Sequence, residues 1–86
     1  MEINQLITIV KKKLTKNIII QDIEIIDKSF LHKGHLSNEK DKFHLKLDIT
    51  SLELKEKKKI YAYKIIHRIL STELKKYIHS IQISIR

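Results

Sequence analysis

FHLKLDITS, residues 43–51, alternates apolar and polar side chains as far as Thr50. Leu45, Leu47 and Ile49 share one side; His44, Lys46 and Asp48 share the other. That period of two predicts a strand with one buried and one wet face. Downstream the period changes. Ala62, Ile65, Ile66, Ile69 and Leu70 recur at helical spacing, and Lys64, His67, Arg68, Ser71 and Lys75 form the opposite stripe. The pattern predicts a helix over residues 56–74. Ile81, Ile83 and Ile85 then alternate with Ser80, Gln82 and Ser84, predicting a last strand that runs to the end of the chain. Strand, helix and strand make a crossover, right-handed and parallel if the two strands are neighbours.

Upstream of that unit, residues 28–41 are polar, hold the single glycine and show no period, so they read as a loop. Residues 19–27 are rich in β-branched isoleucine and alternate at Asp22-Ile23-Glu24-Ile25, predicting a strand that pairs antiparallel with the next. Ile3, Leu6, Ile7, Val10 and Leu14 predict a helix over residues 3–15, with Lys11, Lys12 and Lys13 in its last turn, where cations suit the helix dipole. The order is α-β-β-α-β: an α/β fold with a three-stranded mixed sheet, both helices on one face and the other face polar and open. His79 shares parity with Ile81, Ile83 and Ile85, which places it at the mouth of the core, where a histidine is commonly a hydrogen-bonded structural residue.

Eighty-six residues bound one small domain, 1–86, with a single core. Hydrophobic residues make 42% and charged residues 33%, which excludes a disordered tail and a membrane protein. No apolar run approaches the roughly 20 residues that span a bilayer. The start of the chain has no secretory pattern, so a cytoplasmic location is expected. There is no cysteine, which removes disulfides, thiolate metal sites and a cysteine nucleophile. There is no proline and one glycine, Gly34, which removes glycine-rich nucleotide loops. The serines lack a nucleophile elbow and no carboxylate pair is placed by spacing, so no catalytic constellation is legible.

Two features remain. The first is five histidines: His32 and His35 in the loop, His44 on the wet face of the second strand, His67 on the polar helix stripe, and His79. No carboxylate lies between His32 and His35 and the helical spacing of zinc proteases is missing, but two histidines from separate elements supply half a coordination sphere that a partner completes. The second feature is a net charge of +8. It suits nucleic acid, an acidic membrane surface or an acidic protein, and it equally describes a well-solvated surface. Lys11-Lys12-Lys13 and Lys55 to Lys59 are the basic clusters. Lys57, Lys58 and Lys59, followed by Tyr61 and Tyr63 and by Lys64 and Arg68, offer cations and aromatic rings to phosphates and bases. The element order resembles the class II KH arrangement, but one glycine cannot supply the GxxG backbone clamp.

In order along the chain, Ile23-Glu24-Ile25-Ile26-Asp27-Lys28-Ser29, His32-Lys33-Gly34-His35, His44-Leu45-Lys46-Leu47, Ile49-Thr50-Ser51, Leu70-Ser71-Thr72-Glu73-Leu74 and Ile78-His79-Ser80-Ile81 resemble the BolA family over residues 3–85. The resemblance implies a non-enzymatic partner of a monothiol glutaredoxin that shares a [2Fe–2S] cluster with it. The glutaredoxin and its bound glutathione give thiolates. The BolA-like side gives the loop histidine, His32 by position with His35 as its alternate, and the histidine that opens the last strand, His79. The lack of cysteine fits the histidine-loop type. Two nitrogens are too few to hold a cluster, so the isolated chain is expected to be colourless and monomeric. The resemblance also implies an alternative, a DNA-binding transcriptional regulator of stress response and cell shape. The family's R-H-R triplet inside the long helix is replaced here by Ala62-Tyr63-Lys64, and where many members extend beyond the last strand this sequence stops at Arg86.

Overall fold

The computed structural model describes residues 1–29 and 42–86. Helix α1 (Ile3–Asn17) opens on a reciprocal cap: the Asn4 N–H donates to the Glu2 carboxylate at 3.1 Å and the Glu2 N–H donates to Gln5 Oε1 at 3.3 Å. These bonds satisfy donors that a helix start otherwise leaves open. The helix runs past the predicted 3–15 because Asn17 Nδ2 returns to the Lys13 carbonyl at 2.7 Å and the Ile18 N–H to the Leu14 carbonyl at 2.9 Å.

Strands β1 (Asp22–Asp27) and β2 (Phe43–Thr50) pair antiparallel, and β2 pairs parallel with β3 (Ile78–Ile85), giving the sheet order β1-β2-β3. This is the predicted mixed sheet. Its central row sets Ile25, Leu47 and Ile83 side by side. Leu45, Leu47 and Ile49 are fully buried, and Leu6, Val10 and Leu14 of α1 complete the core with Ile18, Ile78 and the helices of the crossover.

Strand β1 begins three residues later than the 19–27 pattern suggests. The preceding residues are held by side chains instead of a ladder: the Ile19 N–H donates to Glu53 Oε2 at 2.7 Å and Ser51 Oγ donates to the Ile19 carbonyl at 2.8 Å.

Where the sequence predicts one helix over residues 56–74, the chain forms a short preceding helix α2 (Leu52–Lys55) and then two helices, α3 (Lys59–Ile69) and α4 (Ser71–Lys76). Ser51 starts the first. Its hydroxyl, fully buried, accepts the Leu54 N–H at 3.2 Å and so caps α2 while bonding Ile19. Lys58 then takes an extended backbone (φ −62°, ψ 142°), which separates α2 from α3 and lets Leu54 and Ala62 both reach the core. Leu70, buried with ψ 16°, ends α3 and redirects α4. Lys57, inside the predicted helix, therefore precedes α3, with Lys58 at its N-cap and Lys59 its first residue.

The redirected α4 carries Glu73 under α1. Its carboxylate is 6% exposed and receives Lys13 Nζ on both oxygens, at 3.0 and 2.7 Å. Removing the ammonium strands a buried carboxylate. Lys13→Met is expected to cost about 1–3 kcal/mol in urea unfolding, and Lys13→Met with Glu73→Leu to recover most of it, since a buried pair replaced by apolar groups is often neutral. A double variant as unstable as the single one would contradict this account.

Among the described residues, no helix is long and apolar enough to cross a membrane.

Candidate imidazole site and basic cleft

β2 and β3 part from regular pairing at one point. Phe43 lies opposite Ile78 and His44 opposite Ser80, so His79 is the extra residue of a bulge between them. The bulge resets the alternation. Ile78 is buried, Ile81, Ile83 and Ile85 turn toward the core, and His79 is exposed. This corrects the expectation that His79 sits at the mouth of the core: parity counted back from Ile81 fails because one residue is inserted. Bulges commonly re-aim a side chain in this way.

The redirected ring meets another. The centroids of His44 and His79 stand 4.9 Å apart with their planes at 67°, edge to face. Nδ1 of His44 lies 2.6 Å from Ser80 Oγ, and the Ser29 hydroxyl accepts the His44 N–H at 3.1 Å. The Phe43 N–H donates to the Tyr77 carbonyl at 2.8 Å, which ties the end of α4 to the start of β2. His79 is thus carried on a pinned piece of backbone. His44 was legible in the sequence only as a wet-face residue. Its nearness to His79 depends on strand register, which periodicity does not report. His32 and His35 lie outside the described residues, as does Gly34. Among the described residues, no group of three or more His, Cys, Asp or Glu is arranged to hold a metal ion.

The amines gather at the other end of the sheet. Lys55, Lys57 and Lys59 border a cleft of about 310 Å³ closed by Ala62, Tyr63 and the end of β3. Tyr63 Oη donates to the Ile83 carbonyl at 3.3 Å and fixes α3 against the strand edge. Lys58, Lys64 and Arg68 are exposed but do not line this cleft, and Lys13 of the first cluster is engaged by Glu73. None of Lys11, Lys12 and Lys13 borders that cleft.

The arrangement is a small α/β domain with imidazoles at one end of a mixed sheet and amines at the other. The family model described as BolA-like protein matches residues 14–86, and the chain belongs to that family. Among solved structures it is similar to the BolA domain of SufE1 from Arabidopsis thaliana, with a TM-score of 0.77 and 26% identity over 92% of this chain and 87% of that one. It is also similar to BolA1 from Arabidopsis thaliana, with a TM-score of 0.75 and 21% identity over 92% and 87%. The solution structure of BolA1 from Mus musculus gives a TM-score of 0.71 and 19% identity, covering 90% of this chain and 60% of that one. A search of curated protein sequences gave no match.

Proposed function

We propose that this chain is a non-enzymatic adaptor that shares a [2Fe–2S] cluster with a monothiol glutaredoxin. The observation that carries the reading is His79: an exposed imidazole on a bulge, held at the end of the sheet by backbone pairing on both sides. A single imidazole presented outward suits ligation of one iron of a cluster whose other ligands come from a partner. His79 and His32 would hold the cluster from this side, with His35 as the alternate to His32. The glutaredoxin cysteine and glutathione would supply thiolates. When bound, histidine ligation raises a cluster's reduction potential above that of an all-thiolate centre. This chain's own part is to present the imidazoles and, lacking cysteine, to add no thiolate. The test is anaerobic reconstitution with a monothiol glutaredoxin, glutathione, iron and sulfide, followed by visible absorption and circular dichroism. A mixed complex with a spectrum distinct from that of the glutaredoxin alone is expected. The isolated chain is expected to remain colourless and monomeric under the same treatment, and a stable cluster in the chain alone would overturn the reading.

The basic cleft favours a second reading, a DNA-binding regulator, because three amines and Tyr63 border one concavity. Lys57, Lys58 and Lys59, with Lys64 and Arg68 further along α3, are the contacts it would use. Binding through phosphates alone is expected to be sequence-independent, no tighter than roughly micromolar at physiological salt, with log K falling by about 0.9 per contacted phosphate for each unit of log salt. Fluorescence anisotropy against a salt series measures this. A nanomolar, sequence-selective site would reverse the order of the two readings.

A further inference from the structure

We infer that the basic cleft is a docking groove for an acidic, extended peptide segment, which adds a strand to the outer edge of β3 and sets its carboxylates against Lys55, Lys57 and Lys59. The pairing of β3 defines that edge. The Arg86 N–H donates to the Ile49 carbonyl at 2.8 Å and the Ser51 N–H to the Arg86 carbonyl at 3.1 Å, so the even-numbered residues at this end of the strand bond inward to β2. Strand alternation then turns the N–H and C=O groups of Ile81, Ile83 and Ile85 outward. Tyr63 Oη meets the Ile83 carbonyl from that outer side at 3.3 Å, longer than an ordinary O–H···O bond, and marks the position a peptide N–H would take. Among the described residues β3 ends the sheet, and Ile83, Ser84 and Ile85 form one wall of the cleft.

Exposed edges are commonly guarded by charge, proline or a bulge. The opposite edge is guarded: β1 carries Asp22, Glu24 and Asp27. β3 reads IHSIQISI, with no lysine, carboxylate or proline, and its bulge at His79 precedes the regular run of residues 81–85. Charge then selects the occupant. Lys55, Lys57 and Lys59 are exposed on the facing wall, and among the described residues no carboxylate borders the cleft. Backbone polarity separates a peptide from a nucleic acid. DNA phosphates only accept hydrogen bonds and leave the outward carbonyls unpaired, whereas an extended peptide offers N–H and C=O in alternation. The cleft lies at the far end of the sheet from His79, so this inference is independent of the adaptor reading and competes with the DNA reading for one surface.

The test uses the full chain and a capped, fluorescein-labelled peptide of alternating glutamate and valine. Saturable anisotropy that weakens with added salt is expected, with amide 1H–15N shifts and slowed hydrogen exchange at Ile81, Ile83 and Ile85. N-methylation of the whole peptide backbone, which removes its donors and keeps its charge, is expected to weaken binding at least about tenfold. Lys57→Glu with Lys59→Glu is also expected to lose at least about tenfold, and Lys11→Glu with Lys12→Glu, the same change of net charge away from the cleft, less than about threefold. Glutamate suits the first turn of α3, so the cleft variant keeps its fold, which far-UV circular dichroism checks. An N-methylated peptide that binds as well as its parent would mean attraction by charge alone and would overturn the inference. So would no binding at millimolar peptide, equal losses in the two charge-reversed variants, or duplex DNA that binds more tightly than the peptide and shifts the same amides. Because no glutaredoxin or cluster is present, each of these failures leaves the adaptor reading standing.

Discussion

His79→Ala is expected to abolish the mixed cluster proposed with a monothiol glutaredoxin and to leave the fold of the chain intact. The two halves of this expected result have separate causes. The fold survives because His79 is exposed and Ile78, its buried neighbour, is what the core holds at this point. Surface substitutions of this kind usually change stability by less than about 0.5 kcal/mol. The cluster is lost because the variant removes the nitrogen assigned to one iron, and the neighbouring imidazole of His44 is presented from a different strand. His32→Ala is expected to weaken the complex less, since His35 lies three residues away in sequence and is the alternate donor. His32→Cys should keep the complex, alter its visible spectrum and lower its potential, because thiolate donates more charge than imidazole. Each variant is titrated into cluster-loaded glutaredoxin and followed by absorption and circular dichroism. A parental spectrum from His79→Ala would mean the ligand is elsewhere.

Leu47→Ala is the substitution expected to cost most in stability. Leu47 is the middle residue of the middle strand, with no exposed surface, and its row neighbours are Ile25 on β1 and Ile83 on β3. Truncation removes apolar burial and leaves a cavity bounded by a sheet on one side and packed helices on the other. Such changes cost about 2–5 kcal/mol. Small domains hold only about 5–15 kcal/mol in total, and this short chain belongs at the low end. Partial unfolding at 37 °C is expected, measured as a large fall in the urea midpoint without a change in slope. Leu47→Met, which conserves volume, should cost less than about 1.5 kcal/mol. Equal costs for the two would mean that the site is not close-packed.

Much of this molecule was written in side-chain periodicity alone. The alternation of residues 43–51 fixed which face of β2 is buried, because a strand shifted by one residue would put Leu45, Leu47 and Ile49 in water. The helical spacing around Ala62 and Ile66 identified the crossover, and the crossover made β2 and β3 parallel. The absence of cysteine excluded thiolate chemistry before any fold was known. Tertiary structure decided the rest. Periodicity describes a segment against itself, so it passed over the breaks at Lys58 and Leu70, where the chain bends to bring Leu54 to the core and Glu73 beneath Lys13. It also misplaced His79, because a bulge exists only between two strands and one strand's sequence carries no count of its partner's residues. That single inserted residue turned His79 outward and set it 4.9 Å from His44. The sequence named the imidazoles, and the register of two neighbouring strands brought two of them together.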